Sequence, residues 1–433
     1  MAEKLIIDNF AGIKHIELDI GKINILIGPQ ATGKSICAKL HYYFNNFGLT
    51  FTTSALKQSS KVLVDNGLKK QFKEFFPVST WSNENFLIRY ENNTNWIQIE
   101  RVSVRSSKIR LTYSESLKRA YNLAKKQVKE LFIEGNLELK ASTYYKEELE
   151  MPSSINMSEI FNNKDIMSVI TSLSDTSNIF IPSGRSFFLL LQSNIFSFLS
   201  TTSSLDPFIV EFGKHYESFR FEEEDYSEFT SYKKKIHKRI KNDITNLLEG
   251  KLIREKDRDF LLQNYNRKVD ISYSSSGQQE MLPLLIALKS IYYRQEKNNL
   301  ERIIYIEEPE AHIFPEAQKK VVELISTVFN GSPDKLCIFI TTHSPYILTA
   351  FNNLMQAGSL EKTLPEEKKK ELYAIIPKEK VLNPDCVKAY SLSNGKCNSI
   401  IDEDTSLIND NVIDEVSDEI AIEFGNLLEL ERE

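Results

Sequence analysis

The chain has 433 residues, with 54 lysines and arginines against 60 aspartates and glutamates, so its formal net charge is −6. Hydrophobic residues make up 41% of it and aromatic residues 11%, which excludes a mainly disordered protein. The mild acidity excludes a protein that coats nucleic acid over its whole surface, although a local basic groove is compatible with it. The length favours two or three domains, or one elaborated α/β domain with an insertion.

Targeting signals are not evident in the sequence. Residues 1–8 lack the basic and apolar regions of a secretory signal, and the longest apolar stretch, residues 187–199, falls short of the ~20 residues of a membrane span. The chain has four cysteines, Cys37, Cys337, Cys386 and Cys397. Their number and spacing match neither a dense disulfide framework nor a CxxC metal-ligand pair. We therefore expect a cytoplasmic protein without a membrane partner.

Residues 1–113 are predicted to form a lobe of mixed β structure. Two short strands flank the turn residues 9–12, and a third apolar run, residues 23–27, leads directly into Gly28. In residues 84–113, three segments rich in β-formers alternate with Asn-rich and Ser-rich breakers, which predicts an antiparallel meander.

Residues 114–250 are predicted to be a mainly helical insertion with an embedded strand at residues 178–181. The helical patterns cover residues 116–132, 186–200 and 231–248. Because each pattern is a single segment, the sequence predicts no long coiled-coil arm.

An α/β rhythm returns in residues 251–360, and residues 361–433 are predicted to be a C-terminal tail, a possible contact with a partner or with a second copy. The strands of the first segment are expected at residues 269–273, 302–306 and 336–340, with helices between them. The tail is expected to carry a short strand pair, residues 387–392 and 398–401, and a closing acidic amphipathic helix.

The first motif is GPQATGKS, which follows the apolar run 23–27 and opens an apolar-periodic helix, the context of a P-loop. In such a loop, backbone N–H groups wrap phosphates, Lys34 reaches the β and γ phosphates and Ser35 holds Mg²⁺. The predicted nucleotide-binding residues are Gly28, Pro29, Gln30, Ala31, Thr32, Gly33, Lys34 and Ser35. A chance glycine-rich turn is the alternative, and the flanking strand and helix argue against it.

The second motif is RIIYIEEPEAHIFP, residues 302–315, an apolar strand that ends in two carboxylates. We expect Glu307 to hold Mg²⁺ through water and Glu308 to polarise the attacking water as general base. Alternatively, both acids only cap the following helix. The P-loop upstream favours the catalytic interpretation.

The third motif is SSSGQQE, residues 274–280, which opens a helix with small hydroxyl residues and a glycine. Such a helix start can bind an anion through Ser275, Gly277 and Gln278, but any good N-cap has the same pattern. Taken in isolation, the motif favours the N-cap.

The fourth motif is CIFITTHSP, in which a buried strand ends close to His343. A lone histidine after a strand is more often structural than catalytic. Its place 35 residues beyond Glu308 favours a catalytic role.

In this order the motifs resemble those of the ABC-type ATPase head, and more narrowly those of the SMC, RecF and OLD-like branch. The start LIIDNFAGIKHIELDI is similar to the opening of that branch, and SSSGQQE resembles the LSGGQ signature with Ser276 in place of its first glycine. EEPEAHIFP resembles the EEPExHLHP form of OLD-like ATPases, with Phe314 where histidine is usual. The resemblance covers residues 1–50 and about 270–350, and it implies an α/β ABC-type ATPase head with an antiparallel β subdomain and a mainly helical insertion.

The resemblance also implies an ATPase that works as a homodimer or higher homo-oligomer. ATP and Mg²⁺ on Lys34 and Ser35 of one subunit would meet Ser275 and Gly277 of the other. His343 would contact the γ-phosphate and sense its loss.

Three further features leave alternatives open. Arg185 is either a phosphate-side residue or part of a core ion pair. Asp402 and Asp404 resemble the Asp-x-Asp of a Toprim nuclease centre, but the 90 residues after His343 are few for such a domain, so a turn is favoured. A basic run on a predicted helix contains Lys233, Lys234, Lys235, Lys238, Arg239 and Lys241. A solvated face is favoured for it over a phosphate-backbone contact, balanced by the acids just upstream, Glu222, Glu223, Glu224 and Asp225.

The features together predict an ATPase subunit that works with a separate effector. The tail is similar to the ends of stand-alone OLD-like ATPases of phage-defence systems such as PARIS or Septu, which implies a sensor or switch that controls a co-encoded nuclease. The alternative is a RecF-like or SMC-like ATPase that acts directly on DNA in repair. A transporter head is disfavoured because 240 residues separate Ser35 from Ser275.

Overall fold

The computed structural model describes residues 3–133, 177–191, 205–222, 224–227, 229–255, 258–298, 301–409 and 422–424. The chain divides into two compact units: unit 1 contains residues 1–20 and 39–176, and unit 2 contains residues 21–38 and 177–433. These boundaries differ from the predicted ones, because the P-loop belongs with the second half of the chain and not with the antiparallel strands.

Unit 1 contains a five-stranded antiparallel sheet in the order β2-β1-β4-β5-β6. The strands are β1 (Glu3–Phe10), β2 (Ile13–Asp19), β4 (Leu87–Asn92), β5 (Asn95–Arg101) and β6 (Ile109–Tyr113). The predicted hairpin and meander are therefore confirmed, and they share one sheet because β1 pairs with β4. Its helices are α2 (Phe47–Leu56), α3 (Lys61–Phe75) and α4 (Glu115–Ile133), and α1 (Lys34–Asn45) is shared between the units.

Unit 2 contains a six-stranded sheet in the order β14-β13-β3-β12-β11-β7. The strands are β3 (Ile23–Ile27), β7 (Ser177–Ile181), β11 (Arg302–Glu307), β12 (Leu336–Thr342), β13 (Val387–Ser393) and β14 (Lys396–Ser399). All pairings are parallel except that of β14 with β13. The inner strands are almost wholly buried, as expected for parallel strands covered on both faces, which explains their continuous apolar sequences.

The order of the parallel strands brings the sequence motifs together. Strand β12 lies between β3 and β11, so the carboxyl ends of the three strands meet at one edge of the sheet. The P-loop follows β3, the carboxylate pair lies at the end of β11, and His343 follows β12. Strand β7, predicted to lie inside a helical insertion, is instead the edge strand of this sheet.

The rest of unit 2 consists of helices and a small antiparallel sheet in the order β10-β9-β8. That sheet is formed by β8 (Lys251–Glu255), β9 (Arg258–Leu262) and β10 (Lys268–Asp270). The helices are α5 (Phe187–Leu191), α6 (Pro207–Arg220), α7 (Ser231–Leu247), α8 (Ser276–Asn298), α9 (Pro315–Gly331), α10 (Pro345–Thr363) and α11 (Glu366–Ile375). Among the described residues, no helix has the length and apolarity needed to cross a membrane.

Most of the predicted elements are confirmed, with a few differences. The strand predicted at residues 269–273 ends at Asp270, whose carboxylate accepts a hydrogen bond from the N–H of Ser272 and turns the chain into a short 3₁₀ helix. Strand β14 ends before residues 400–401, and Ile401 forms only an isolated bridge with Ile408. Of the helix predicted at residues 186–200, residues 187–191 are helical and residues 192–200 lie outside the described residues, as does most of the segment predicted to form the closing tail helix.

Candidate active site

The P-loop connects β3 to α1 and begins with Gly28, where any other residue would force the neighbouring backbone to move. Gly28 has φ +151°, and a Cβ on it would lie 2.1 Å from the carbonyl oxygen of Leu392 at the end of β13. The loop also contains Ala31 and Gly33 with positive φ values. Positive φ values of this kind occur in turns whose successive N–H groups bind anions.

Lys34 is the first residue of α1, and its side chain folds back into the P-loop. Its Nζ donates to the carbonyl oxygens of Gly28 and Pro29, both at 2.7 Å, and the residue is only 5% exposed. Burial lowers the pKa of the Lys34 ammonium, and the carboxylates of Glu308 and Glu310 oppose that shift. A cation held inside a glycine-rich loop at a helix N-terminus is suited to bind phosphate.

His343 lies between the P-loop lysine and the predicted general base. Its Nδ1 is 3.4 Å from Lys34 Nζ, and its Nε2 is 3.4 Å from Glu308 Oε1. Nδ1 can accept a hydrogen bond from the Lys34 ammonium, and Nε2 lies within ion-pair distance of the Glu308 carboxylate. The structure therefore joins three residues from three separate sequence motifs.

Glu308 has an unusual backbone conformation at the end of β11. Its φ is +43°, in the left-handed region that residues with a Cβ rarely adopt. Its N–H donates to the carbonyl oxygen of Thr341 at 2.8 Å, and its side chain remains 38% exposed beside His343. An accessible carboxylate in this place can polarise a water molecule, as the sequence predicts.

Glu310 is a site residue that the sequence analysis did not assign. Its Oε1 accepts a hydrogen bond of 2.6 Å from the backbone N–H of His343. This bond holds the backbone from which the imidazole side chain extends. Its Oε2 is buried and has no hydrogen-bond partner in the described part of the chain. The sequence signal that could have identified it is its place as the third acid of the EEPE segment.

Glu307 has the properties expected of the predicted metal ligand. It is buried, and its Oε2 accepts from the N–H of Ser183 at 3.2 Å. Its Oε1 is buried without a hydrogen-bond partner in the residues that the structure describes, and such an oxygen is costly unless a cation or water satisfies it. Carboxylate oxygen suits Mg²⁺, so Glu307 and the half-buried Ser35 would hold the ion, which would neutralise phosphate charge.

The signature segment forms a capped helix start. The Oγ of Ser275 accepts from the N–H of Gln278 at 3.3 Å, while the side chain of Gln278 accepts from the N–H of Ser275 at 3.2 Å. The amide of Gln278 also donates to the carbonyl oxygen of Leu248. The N-cap that the sequence favoured is therefore present, and Gln278 already has protein partners.

Gly277 brings the start of α8 against the loop that follows Glu308. A Cβ on Gly277 would lie 2.8 Å from the carbonyl oxygen of His312. Because only glycine permits this approach, the signature segment and the carboxylate loop are in direct contact within one chain.

Arg185 forms a core ion pair and not an exposed phosphate contact. It is 1% exposed, and its Nε lies 3.4 Å from Oε1 of the buried Glu280. Burial lowers the pKa of its guanidinium, and the carboxylates of Glu280 and the loop after β11 oppose that shift. Of the two alternatives from the sequence, the ion pair is confirmed.

The basic run on α7 is partly neutralised. Lys233 pairs with Glu296, Arg239 with Glu379, and Lys241 with Glu224. Lys234, Lys235 and Lys238 are exposed. Of these partners only Glu224 is one of the upstream acids predicted to balance the helix, so the prediction is confirmed in part.

Asp402 forms a turn. Its Oδ1 accepts from both the N–H and the hydroxyl of Thr405 at 2.7 Å. This agrees with the turn that the sequence favoured over a nuclease centre.

Residues 1–348 match the AAA ATPase domain family. The chain belongs to this family. The match and the arrangement of the motifs around the central sheet confirm the predicted α/β fold of a P-loop ATPase of the ABC type. A search of curated proteins finds no significant match.

Several solved structures resemble this chain at low identity. An SMC head bound to the C-terminal winged-helix domain of ScpA has 12% identity and a TM-score of 0.37, with 92% of this chain and 96% of that chain covered. The SMC head domain from Thermotoga maritima has 11% identity and a TM-score of 0.33, with 92% and 98% covered. The recombination mediator RecF has 13% identity and a TM-score of 0.33, also with 92% and 98% covered.

Proposed function

We propose that this protein is an ATP-hydrolysing sensor or switch subunit of a bacterial anti-phage defence complex, which controls a separate nuclease effector. ATP and Mg²⁺ bind at the P-loop, Glu308 acts as general base, and a second copy of the chain supplies Ser275 and Gly277. This cytoplasmic subunit would resemble the ATPases of PARIS or Septu systems.

The contact of His343 with both Lys34 and Glu308 carries this proposal. A residue that touches the phosphate-binding lysine and the general base responds to the nucleotide and also affects its hydrolysis. Hydrolysis of this kind is useful when it changes the affinity for a partner, because a ligand shifts a conformational equilibrium only through differential binding.

Purification from the native operon tests the proposal. We expect a co-encoded nuclease to remain bound through a tagged copy of this chain and to be identified by mass spectrometry. A tagged Lys34→Ala chain serves as the nucleotide-free control. Recovery of the protein without any neighbour's product would contradict the switch.

The alternative is a RecF-like or SMC-like ATPase that acts directly on DNA. The exposed Lys234, Lys235 and Lys238 on α7 favour it, because lysines on one helix can neutralise successive backbone phosphates. This function predicts ATP hydrolysis that DNA stimulates severalfold and that loses the stimulation when the three lysines become glutamates. ATPase assays with and without duplex DNA distinguish the two functions.

A further inference from the structure

Arg185 is a buried cation whose guanidinium donates hydrogen bonds to the backbone of Glu307 and Glu308. Its Nη1 donates to the carbonyl oxygen of Glu307 at 2.7 Å, and its Nη2 donates to that of Glu308 at 3.1 Å. Nη1 also donates to the carbonyl oxygen of Pro182 at 3.3 Å. A buried guanidinium is tolerated only when its N–H groups are satisfied, and here two of its partners are the backbone of the carboxylate pair.

The same arginine is bound to the signature helix through Glu280. Its Nε donates to the carbonyl oxygen of Glu280 at 3.2 Å. The carboxylate of Glu280 accepts the backbone N–H groups of Arg185 at 2.8 Å and Ser186 at 3.0 Å. Glu280 lies four residues after Ser276, the first residue of α8, and is 1% exposed. Arg185 therefore connects α8 to the end of β11 through hydrogen bonds on both sides.

Glu308 needs such a connection because its backbone conformation is unfavourable. A residue with a Cβ keeps a φ of +43° only when the surrounding structure holds it. The N–H of Glu308 donates to the carbonyl oxygen of Thr341, and the carbonyl oxygen of Glu308 accepts from Arg185. Gly277 adds a second contact of α8, against the carbonyl oxygen of His312.

We propose that Arg185 is a positioning residue that holds Glu308 in its catalytic conformation and couples that conformation to the signature helix through Glu280. Movement of α8 when nucleotide engages the signature is transmitted to the general base of the same subunit. This inference rests on the proposed ATP hydrolysis by Glu308, and it is independent of the role in phage defence.

The test is Arg185→Lys in the full-length protein. Lysine keeps the charge but lacks the planar fork, so it cannot donate to Glu280 and to both loop carbonyls together. We expect single-turnover ATP hydrolysis to slow by about tenfold to a hundredfold, as for a displaced catalytic group, while ATP affinity stays unchanged. Arg220→Lys is the matched control, because the Arg220 side chain in unit 2 is only 8% exposed and pairs with Asp259 at 2.8 Å. This control should lower the melting temperature and leave the hydrolysis of bound ATP unchanged.

A double mutant separates positioning from general destabilisation. In a Glu308→Gln background, Arg185→Lys should cause no further slowing, because the group that it positions is already gone. An additive loss, or a single mutant as fast as wild type, would overturn the proposal. If Arg185→Lys fails to fold, Glu280→Gln is expected to show the same loss of hydrolysis with retained ATP affinity, and retention of full activity there would overturn it.

The defence role and this inference have separate outcomes. Wild-type protein that hydrolyses ATP without affecting phage would refute the defence role and leave the Arg185 test intact. Wild-type protein that binds ATP without hydrolysing it would overturn the inference together with the assignment of Glu308.

Discussion

At the scale of single residues, Lys34 is the group on which we expect nucleotide binding to depend most. Its ammonium is buried in the P-loop and donates to two loop carbonyl oxygens that would give way to phosphate. Lys34→Ala is expected to weaken ATP binding well over tenfold, which corresponds to more than about 1.4 kcal/mol. Titration with a fluorescent ATP analogue measures the effect.

Lys22→Ala is the control for this change, because Lys22 is exposed and its side-chain ammonium donates to the carbonyl oxygen of Asp334. It should leave ATP affinity at the wild-type value. Equal affinity of Lys34→Ala and wild type would refute the P-loop assignment.

Glu308 has the exposed carboxylate needed for a general base. Glu308→Gln keeps the shape of the side chain but cannot accept a proton, so hydrolysis should slow by about 10²–10⁴ while ATP binding is retained. Phosphate release and nucleotide binding, measured on the same preparation, separate the two effects. Glu316→Gln is the control, since Glu316 pairs with Lys320 on the surface of α9.

Substitution of each acid in turn tests whether the carboxylate pair has a catalytic role. The following helix begins at Pro315 with Phe314 as its N-cap, so the alternative that both acids only cap that helix is wrong. Full activity of both Glu307→Gln and Glu308→Gln would therefore show that the pair has no catalytic role.

At the scale of secondary-structure elements, the connection from β3 to α1 depends on backbone space at Gly28. Gly28→Ala would place a Cβ against the carbonyl oxygen of Leu392 in an unfavourable φ region, so we expect loss of ATP binding and a lower melting temperature. Gly67→Ala is the control, because Gly67 lies inside α3 with open space around it. There, alanine should stabilise the protein by about 0.4–1 kcal/mol or have no effect. Thermal unfolding and ATP titration of both mutants check this, and normal ATP binding by Gly28→Ala would show that the P-loop does not need this conformation.

The start of α8 is expected to act on the nucleotide of a second copy. Ser275→Arg puts a bulky cation at the signature, so this mutant should bind ATP at its own P-loop but fail to hydrolyse it. Mixing it with Lys34→Ala should restore hydrolysis, because one composite site per heterodimer is then intact. Phosphate release from the mixture measures the recovery. Continued inactivity in a heterodimer shown to form would argue against a shared site.

At the scale of the whole molecule, ATP hydrolysis should be required for phage resistance but not for binding of the partner. Cells with Glu308→Gln should therefore lose resistance in plating assays while the mutant still purifies with the co-encoded nuclease. Cells with Glu316→Gln should remain resistant. Full resistance with Glu308→Gln would separate the defence role from catalysis.

The local motifs were determined by the sequence alone. The P-loop, the carboxylate pair and the histidine each lie within a few contiguous residues at the end of an apolar strand, and the carboxyl ends of parallel strands share one edge of the sheet. The hairpin and meander of unit 1 were equally predictable, because alternating β-formers between turn residues depend on neighbours in the chain.

Tertiary structure decided the roles of residues whose partners lie far away in the chain. The hydrogen bond from Arg185 to the carbonyl oxygen of Glu307 joins residues 122 positions apart, and the one from the His343 N–H to Glu310 joins residues 33 apart. No local sequence pattern encodes either contact. The place of β7 at the sheet edge depends likewise on pairing with β11. Burial of an arginine, close approach of a glycine and strand pairing are set by the packing of distant segments, and only the folded chain brings those segments together.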